Sequence, residues 1–224
     1  MKKFIIAIDG PSAAGKECLA TAVSKKFNII YIDTGAMYRS VAYYFIQNDV
    51  YIENDMEVTK ALDNIKISFK WDGKRLYTYL NDEDVTSKIR TEDVGLMASK
   101  VSAIKTVRYR MVELQRKLGE EQSVVLDGRD VGSVVFPNAD IKIFLTADIE
   151  VRARRRYEQL TQSGQEVSFE EVLENMRKRD YDDIHKPISP LVQTDDAVLI
   201  DSTNLTIEEV FEKVLEIFKE REVI

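Results

Sequence analysis

A glycine-rich segment near the start of the chain contains the residue types that bind phosphate groups. The run Gly10-Pro11-Ser12-Ala13-Ala14-Gly15-Lys16 follows a short apolar stretch and opens a helical pattern. Glycines allow successive backbone N–H groups to point at phosphate oxygens, the helix N-terminus adds partial positive charge, and the lysine adds a mobile ammonium group. In this strand-to-helix context the pattern predicts a nucleotide-binding phosphate loop rather than a plain turn with a surface lysine.

The residues after the lysine depart from the usual pattern. A Ser or Thr hydroxyl is expected there to help hold Mg²⁺ or a phosphate oxygen, but this chain has Glu17 and Cys18. Three roles stay open for Glu17, namely a Mg²⁺ ligand, a partner of the helix dipole, or a source of repulsion against a triphosphate. Loss of one charge-assisted hydrogen bond costs about 1.5–3 kcal/mol, so we expect a weakened but working loop. The predicted ATP-binding residues are Gly10, Pro11, Ser12, Ala13, Ala14, Gly15, Lys16, Glu17 and Cys18.

Two further segments place charged residues just after predicted strands. Asp127-Gly128-Arg129-Asp130 follows a buried apolar run, so its charges emerge at the carboxyl edge of a sheet, where α/β proteins form their sites. Thr34 follows another strand, and Tyr38 and Arg39 lie four and five residues further along a helix. A solvated turn for the first segment and a half-buried core aromatic for Tyr38 are the alternatives.

Arginines cluster although the chain as a whole is acidic. Lys and Arg total 32 against 39 Asp and Glu, a formal charge of −7. We expect no nucleic-acid partner, because binding a phosphate backbone needs an extended basic surface. Clusters at 152–156 and 177–179 fit a compact, multiply charged anion better, while a solvated helix face is the alternative for any single arginine at 152–156.

Composition narrows the class of protein. The chain has 224 residues, 44% of them hydrophobic, and charges interrupt every apolar run well before 18 residues, so we expect no membrane span. One cysteine rules out an internal disulfide and fits a reducing, cytoplasmic compartment. The single histidine leaves no His/Cys cluster for a structural zinc. We expect a monomer, since no exposed apolar stripe is evident.

Apolar runs that alternate with helical patterns predict a doubly wound α/β domain with five parallel strands. A different pattern occupies 65–81, where alternating residues flank Asp72-Gly73 and predict a β-hairpin. Ser163-Gly164 separates two charged helices and predicts a hinge. Either Thr206 or Asn204 is expected to cap the last helix. The predicted strands are 4–8, 29–32, 124–126, 141–145 and 198–200, and the predicted helices are 15–27, 35–48, 55–64, 91–118 as two helices, 148–163, 168–182 and 204–220.

Several of these segments together resemble the bacterial cytidylate kinase family of nucleoside monophosphate (NMP) kinases. The resemblance runs from Ile8-Asp9-Gly10-Pro11-Ser12 to Leu199-Ile200-Asp201-Ser202-Thr203. It includes Asp33-Thr34-Gly35-Ala36-Met37-Tyr38-Arg39, the segment from Leu126 to Gly132, and Arg179-Asp180-Tyr181-Asp182-Asp183 leading to Ser189-Pro190-Leu191. It implies a P-loop NTPase-type five-stranded parallel sheet flanked by helices in one kinase domain. The core would be 1–60, 91–147 and 190–224, with a hairpin-containing NMP-binding insert at about 61–90 and a helical lid at about 148–189.

The resemblance also implies roles for individual residues. Thr34, Tyr38 and Arg39 would hold the acceptor's phosphate, and Asp127 would orient the acceptor or a metal-bound water. Ser99, Arg108 and Asp130 would contact cytosine, with the Asp130 carboxylate accepting from the exocyclic amine. Arg179 and Asp183 would contact the sugar, and Arg129 would grip phosphate in a bidentate fashion. The implied catalytic residues are Lys16, Asp127, Arg129, Arg155 and Lys186, and the implied substrate-binding residues are Thr34, Tyr38, Arg39, Ser99, Arg108, Arg129, Asp130, Arg179 and Asp183.

Two positions depart from the family pattern. Lys186 stands where arginine is usual, which keeps the charge but loses the two-pronged geometry, and Ile184 replaces a small polar residue. The expected reaction is transfer of the γ-phosphoryl group of ATP, with Mg²⁺, to CMP or dCMP, without a covalent intermediate. Mg²⁺ is expected to bind mainly through phosphates and water. A kinase for another pyrimidine monophosphate, or a weakly active nucleotide-binding homologue, is the alternative.

Overall fold

A computed structural model describes residues 3–72 and 75–221. The chain divides into two compact units: unit 1 comprises Met1–Tyr31 and Gln122–Ile224, and unit 2 comprises Ile32–Glu121. Unit 2 is therefore an insertion into unit 1 along the sequence, and it is longer than the predicted insert at 61–90. In chain order the elements are β1 (Ile5–Asp9), α1 (Lys16–Phe27), β2 (Ile30–Asp33), α2 (Thr34–Gln47), α3 (Asp55–Asp63), β3 (Ile67–Trp71), β4 (Leu76–Leu80), β5 (Glu83–Asp84), α4 (Glu92–Ser102), α5 (Lys105–Glu121), β6 (Val124–Gly128), β7 (Ile141–Thr146), α6 (Ile149–Gln162), α7 (Phe169–His185), β8 (Val198–Asp201) and α8 (Ile207–Glu220).

The main sheet has five strands in the order β2-β6-β1-β7-β8. β1 pairs in parallel with β6 and β7, and β7 pairs in parallel with β8. Most residues of the central strands are buried and apolar, as in parallel strands whose two faces are covered by helices, while Asp9, Asp127 and Lys142 are buried polar exceptions. The register places Asp9 beside Gly128 and Phe144, so the carboxyl ends of three strands lie level at one edge. The predicted five-stranded parallel α/β fold is confirmed.

Helices of unit 1 pack on this sheet and on each other. Phe27 of α1 and Phe218 of α8 approach with ring centroids 5.2 Å apart. α6 and α7, which correspond to the predicted lid helices, enclose a small cluster that includes Leu160 and Met176. Of the two predicted caps of α8, Thr206 is the one that accepts from the Glu209 N–H, in a reciprocal capping box.

Within its described residues, unit 2 combines four α-helices and a short 3₁₀ helix, Lys88–Arg90, with a three-stranded antiparallel sheet in the order β3-β4-β5. The predicted hairpin is confirmed for its described residues, with Ile67 opposite Leu80, whereas Gly73 of the predicted turn lies outside them. β5 was not predicted from the sequence. It forms because Asn81 and Asp82 both adopt positive φ angles, 50° and 67°, as a tight two-residue hairpin turn requires.

Candidate active site

The predicted phosphate loop lies between β1 and α1 in unit 1. Gly10 has a φ of 150°, and a Cβ atom there would lie 1.9 Å from the Leu145 carbonyl oxygen, so only glycine fits beside β7. Gly15 has a φ of 98° and precedes the first residue of α1, and Ala13 also has a positive φ, 58°. These left-handed residues turn the backbone back on itself, which is the conformation that an anion-binding loop needs.

Lys16 is buried and points back into its own loop. Its Nζ donates to the Pro11 carbonyl oxygen at 2.7 Å. Burial lowers the pKa of the Lys16 ammonium to about 7, and the nearby Arg129 charge acts in the same direction. The carboxylates of Asp127, Asp183 and Asp9 oppose this shift without cancelling it. Lys16 therefore releases its proton far more readily than an exposed lysine until an anion enters the loop.

Arg129 and Lys186 are held by one carboxylate. Arg129 Nε donates to Asp183 Oδ2 at 2.7 Å, and Lys186 Nζ lies 3.3 Å from Asp183 Oδ1. Burial disfavours the ionised Asp183, but the charges of Arg129 and Lys186 outweigh it and hold the pKa of this carboxyl well below its usual range. Arg179 contributes to the same effect. Four predicted site residues therefore lie close together in unit 1: Arg129, Arg179, Asp183 and Lys186.

Asp127 and Asp130 flank the end of β6. Asp127 is 8% exposed, and its Oδ1 accepts from the Tyr31 hydroxyl at 2.8 Å. Asp130 is 6% exposed and immediately precedes a five-residue π-helical turn, Val131–Val135. Such turns are rare and concentrate at functional sites. The whole segment is anchored by Asp9, whose carboxylate accepts from two backbone N–H groups of this turn.

The arginines of α6 have separate contacts. Arg152 is buried and donates to the Ala147 and Ser12 carbonyl oxygens and to Asp180 Oδ2, at 2.8, 3.2 and 2.7 Å. Arg155, which was predicted to be catalytic, donates to the Ser202 hydroxyl and carbonyl oxygens at 3.2 and 2.8 Å. Arg154 stacks over Phe169. Arg152 therefore ties α6 and α7 to the phosphate loop.

Glu17 and Cys18 form the exposed first turn of α1, where a hydroxyl residue was expected. Glu17 is the acidic residue of that turn, so it lies at the positive end of the helix dipole. Cys18 is exposed as a residue, but neighbouring atoms partly shield its thiol from water and so raise the thiol pKa, and the adjacent Glu17 charge raises this pKa further. Cys18 is accordingly a neutral thiol near pH 7 and a poor nucleophile.

Unit 2 has its own cluster of basic groups at the start of α2. Asp33 caps this helix by accepting from the Ala36 N–H at 2.7 Å, and the same carboxylate binds Arg39 at 2.9 Å and Arg90 at 3.4 Å. A side chain at position 35 would meet Arg39 at 3.0 Å and Asp33 at 3.2 Å, so Gly35 allows the arginine to fold back. Thr34 is buried as the first residue of α2.

A second cluster of unit 2 contains Arg108 and Tyr38. Arg108 is 2% exposed, donates to the Ser102 carbonyl oxygen at 3.3 Å, and its guanidinium lies 5.6 Å from the centre of the Tyr38 ring. The half-buried Ser99 lies one turn before Ser102 on α4, and its carbonyl oxygen accepts from the Ser102 hydroxyl. A buried guanidinium beside an aromatic ring can receive a planar polar ligand.

Sequence reasoning assigned no role to Arg90, Asp9 or Asp180, and it named Arg152 only as a member of the arginine cluster. Arg90 shares Asp33 with Arg39, Asp9 holds the turn after Asp130, and Arg152 and Asp180 form a buried ion pair. Asp9 adjoins the glycine motif and Arg152 belongs to the arginine cluster, so a signal was present for both. No local signal identified Arg90 or Asp180, because their partners are 57 and 28 residues away.

No group of three His, Cys, Asp or Glu residues that could hold a metal ion occurs within 3–72 and 75–221. Within the same described ranges, no helix is both long and apolar enough to cross a membrane.

Comparison with known proteins gives extensive similarity. A model of the family described as cytidylate kinase matches residues 6–220. The cytidylate kinase of Fusobacterium nucleatum is 47% identical over 210 residues, which is 94% of this chain and 94% of that protein. The cytidylate kinase of Caldicellulosiruptor saccharolyticus is 44% identical over 218 residues, 97% of this chain and 96% of that protein. An uncharacterized protein from Eubacterium ventriosum has a solved structure that aligns over 98% of this chain and 99% of its own with a TM-score of 0.56; at 16% identity this shows the fold alone.

Proposed function

The chain belongs to the cytidylate kinase family, and from this we infer that it transfers the γ-phosphoryl group of ATP to CMP, giving ADP and CDP. The family match over residues 6–220 is the observation that carries this conclusion. We propose dCMP as a second acceptor. A kinase for another pyrimidine monophosphate, or a binding protein without turnover, is not favoured by the curated relatives, which are named cytidylate kinases.

We propose that residues 10–18 bind ATP, with the backbone N–H groups of the loop facing the phosphates and Lys16 near the β- and γ-phosphates. The left-handed backbone at Ala13 and Gly15 supports this proposal. Entry of a triphosphate would draw the Lys16 ammonium away from the Pro11 carbonyl oxygen and stabilise its charged form. A strong binding contribution follows, because the ammonium and the anion meet in a buried site of low dielectric constant.

We propose that the acceptor's phosphate binds to Thr34, Tyr38 and Arg39. The buried Thr34 lies at the N-terminus of α2, where partial positive charge favours a phosphate, and the Arg39 guanidinium folds back to the same end of the helix. Cytosine would be contacted by Ser99, Arg108 and Asp130. The sugar would be contacted by Arg179 and Asp183.

Phosphoryl transfer needs alignment and charge neutralisation more than covalent chemistry. We propose that Lys16, Arg129 and Lys186 neutralise charge that develops on the transferred group, and that Asp127 orients the acceptor or a metal-bound water. Arg155 would join them by exchanging Ser202 for phosphate when the lid formed by α6 and α7 closes. Lid closure would also exclude water and so suppress hydrolysis of ATP.

Mg²⁺ is expected to accompany ATP, and of the two side chains that follow Lys16 only one is of a ligand type that this ion prefers. Glu17 offers carboxylate oxygens, which Mg²⁺ accepts, whereas the Cys18 thiol is a soft ligand that it does not favour. We propose that phosphate oxygens and water hold the ion mainly. Of the two side chains, Glu17 is the one able to add a ligand, and replacing it tests whether it does. The ion would supply positive charge at the phosphates.

We also propose that the protein is a cytoplasmic monomer that binds small nucleotides and neither nucleic acid nor membranes. The formal charge of −7 and the single cysteine support this.

An ADP-release assay with CMP, dCMP, UMP and dTMP, together with chromatographic detection of the diphosphate product, tests the function. We expect CMP to be turned over fastest, with ADP and CDP formed in equal amounts. Lys16→Met should lower kcat at least ~1,000-fold, because it removes charge from the transition state. Lys26→Met, an exposed lysine of the same helix, is the matched control and should leave kcat unchanged. Nucleotide binding without any CDP would overturn the proposal.

A further inference from the structure

A buried carboxylate joins the phosphate loop to the segment that carries Arg129 and Asp130. Asp9 is the last residue of β1, directly before Gly10, and is 6% exposed. Its Oδ1 accepts from the Val131 N–H at 2.8 Å, and its Oδ2 accepts from the Gly132 N–H at 2.7 Å. Both oxygens are therefore committed to one short stretch of backbone.

This contact fixes a part of the chain with little intrinsic stability. The turn at Val131–Val135 is a single π-helical turn, a conformation that rarely persists without outside support. Its first two N–H groups have no helical partner of their own, and the Asp9 carboxylate supplies one for each. Arg129 and Asp130 immediately precede these N–H groups, so their backbone is held from β1.

Neighbouring atoms pack closely around this contact. A Cβ atom at position 132 would lie 3.3 Å from Asp9 Oδ2 and 3.1 Å from Lys142 Cδ, so a side chain there would require the turn, Asp9 or Lys142 to shift by a few tenths of an ångström. A longer or displaced acid at position 9 would push the turn outwards. The register of the sheet fixes the other side, since Asp9 lies beside Gly128 and Phe144.

Ionising the Asp9 carboxyl has a free-energy cost in this buried site. Burial raises the pKa of this carboxyl to about 6, even though the two N–H groups favour the ionised form. Asp130 on the adjoining segment raises it further, Lys16 on α1 lowers it, and the Lys142 side chain packs on the same turn from β7. A pKa above the usual value means that ionised Asp9 lowers the stability of the fold at neutral pH. A neutral side chain would avoid this cost but would leave at least one of the two N–H groups without an acceptor from residue 9.

We propose that Asp9 is a positioning residue that holds Arg129 and Asp130 in register with the phosphate loop. This rests on the function proposed above. Asp9 then affects the kcat/KM for the acceptor through Arg129, and it affects the preference for CMP over UMP through Asp130. ATP binding depends on it less, because the loop is also held by the fit of Gly10 against Leu145 and by the contact of Arg152 with Ser12.

The test compares Asp9→Asn with Asp140→Asn. Asp140 Oδ2 accepts from the Ile5 N–H at 2.8 Å, so it makes the same kind of contact at the opposite end of β1, away from the loop. In Asp9→Asn the amide keeps one acceptor and turns an NH₂ group towards a backbone N–H. We expect kcat/KM for CMP to fall about 100-fold and the CMP-over-UMP preference to fall about tenfold, as for a displaced reacting group. The Kd for an ATP analogue should change less than threefold.

Gly132→Ala displaces the same turn from the other side without altering any charge. It should lower the CMP-over-UMP preference in the same direction, while Asp140→Asn leaves it unchanged. Melting temperatures show whether each variant is folded, and Gly132→Ala supplies the answer if Asp9→Asn does not fold. An unchanged preference in a folded Asp9→Asn or Gly132→Ala variant would overturn the inference. An inactive wild-type protein would instead overturn the proposed function.

Discussion

In each unit one carboxylate binds two basic side chains, but the exposure of these side chains to solvent differs. In unit 1 Asp183 binds Arg129 and Lys186, and in unit 2 Asp33 binds Arg39 and Arg90. Each carboxylate thus binds two cationic side chains. In unit 1 Arg129 and Lys186 are 19% and 11% exposed, and in unit 2 Arg39 and Arg90 are 18% and 35% exposed. Arg90 is therefore the cation of these four that lies closest to water, so solvent weakens its ion pair most.

Removing each carboxylate is the most severe test of this comparison. Asp183→Asn should lower the free energy of unfolding by about 3–5 kcal/mol, because Arg129 and Lys186 are largely withdrawn from water and would lose the carboxylate that they share. Asp33→Asn should lower it by about 1–2 kcal/mol, since asparagine still caps α2 and Arg90 lies nearer to solvent. Urea unfolding at pH 7 measures both.

The pH dependence of this difference has a definite sign. The pKa of Asp183 is held well below its usual range, so its stabilisation is present above the ordinary aspartate pKa of about 3.9 and is lost as the pH falls towards the lower folded value. The gap between the wild type and Asp183→Asn should therefore be constant from pH 8 to 5 and shrink below pH 4. Equal effects of the two variants would contradict the comparison.

The two arginines on Asp33 should differ in their effect on the acceptor. Arg39→Ala should raise the KM for CMP about 100-fold and Arg90→Ala about tenfold, because a closely held guanidinium contributes more than an exposed one. The KM for ATP should change less than twofold. Arg110→Ala, which breaks an exposed pair with Glu113 in the same unit, is the control and should have no effect. A larger effect of Arg90→Ala would reverse the assignment of the main phosphate ligand.

The first turn of α1 offers a test in the opposite direction. Glu17→Ser combined with Cys18→Thr should raise kcat about 3–10-fold, because a hydroxyl restores a hydrogen bond to Mg²⁺ or phosphate and a repulsive charge is removed. Glu17→Gln alone separates the loss of charge from the gain of a hydroxyl. No gain, or a loss, in the double variant would give Glu17 a role of its own, such as a Mg²⁺ ligand.

The smallest expected effect is a fraction of a proton. Since the pKa of Lys16 is lowered to about 7 in the empty loop, binding of Mg-ATP should raise this pKa and take up a fraction of a proton per site at pH 7. Calorimetry in buffers of different ionisation enthalpy measures this uptake. The arginine of Lys16→Arg stays charged at pH 7, so this variant should take up no proton when it binds Mg-ATP. Equal uptake by both proteins would assign the proton to another group.

Local sequence predicted the elements and much of the candidate site. The fold class, the hairpin and the loop at 10–16 were predicted from apolar periodicity and from turn residues that the local sequence shows directly. Within the described residues, the short β5 strand, the 3₁₀ helix at Lys88–Arg90 and the π-helical turn at Val131–Val135 were missed, because each is a short backbone feature without a repeating pattern. The assigned roles of the site residues stay predictions.

Pairing between distant residues was decided by the tertiary structure. The family motifs indicated that Arg155 and Lys186 matter, but not that Arg155 lies against Ser202, 47 residues away, or that Lys186 shares Asp183 with Arg129. Asp9 and the turn it anchors are more than 120 residues apart. The sequence by itself determined which chemical groups the chain carries and the local backbone that presents them. Only folding decided which of these groups meet and how deeply they are buried, because Coulomb interactions and desolvation depend on distances through space that sequence separation does not encode.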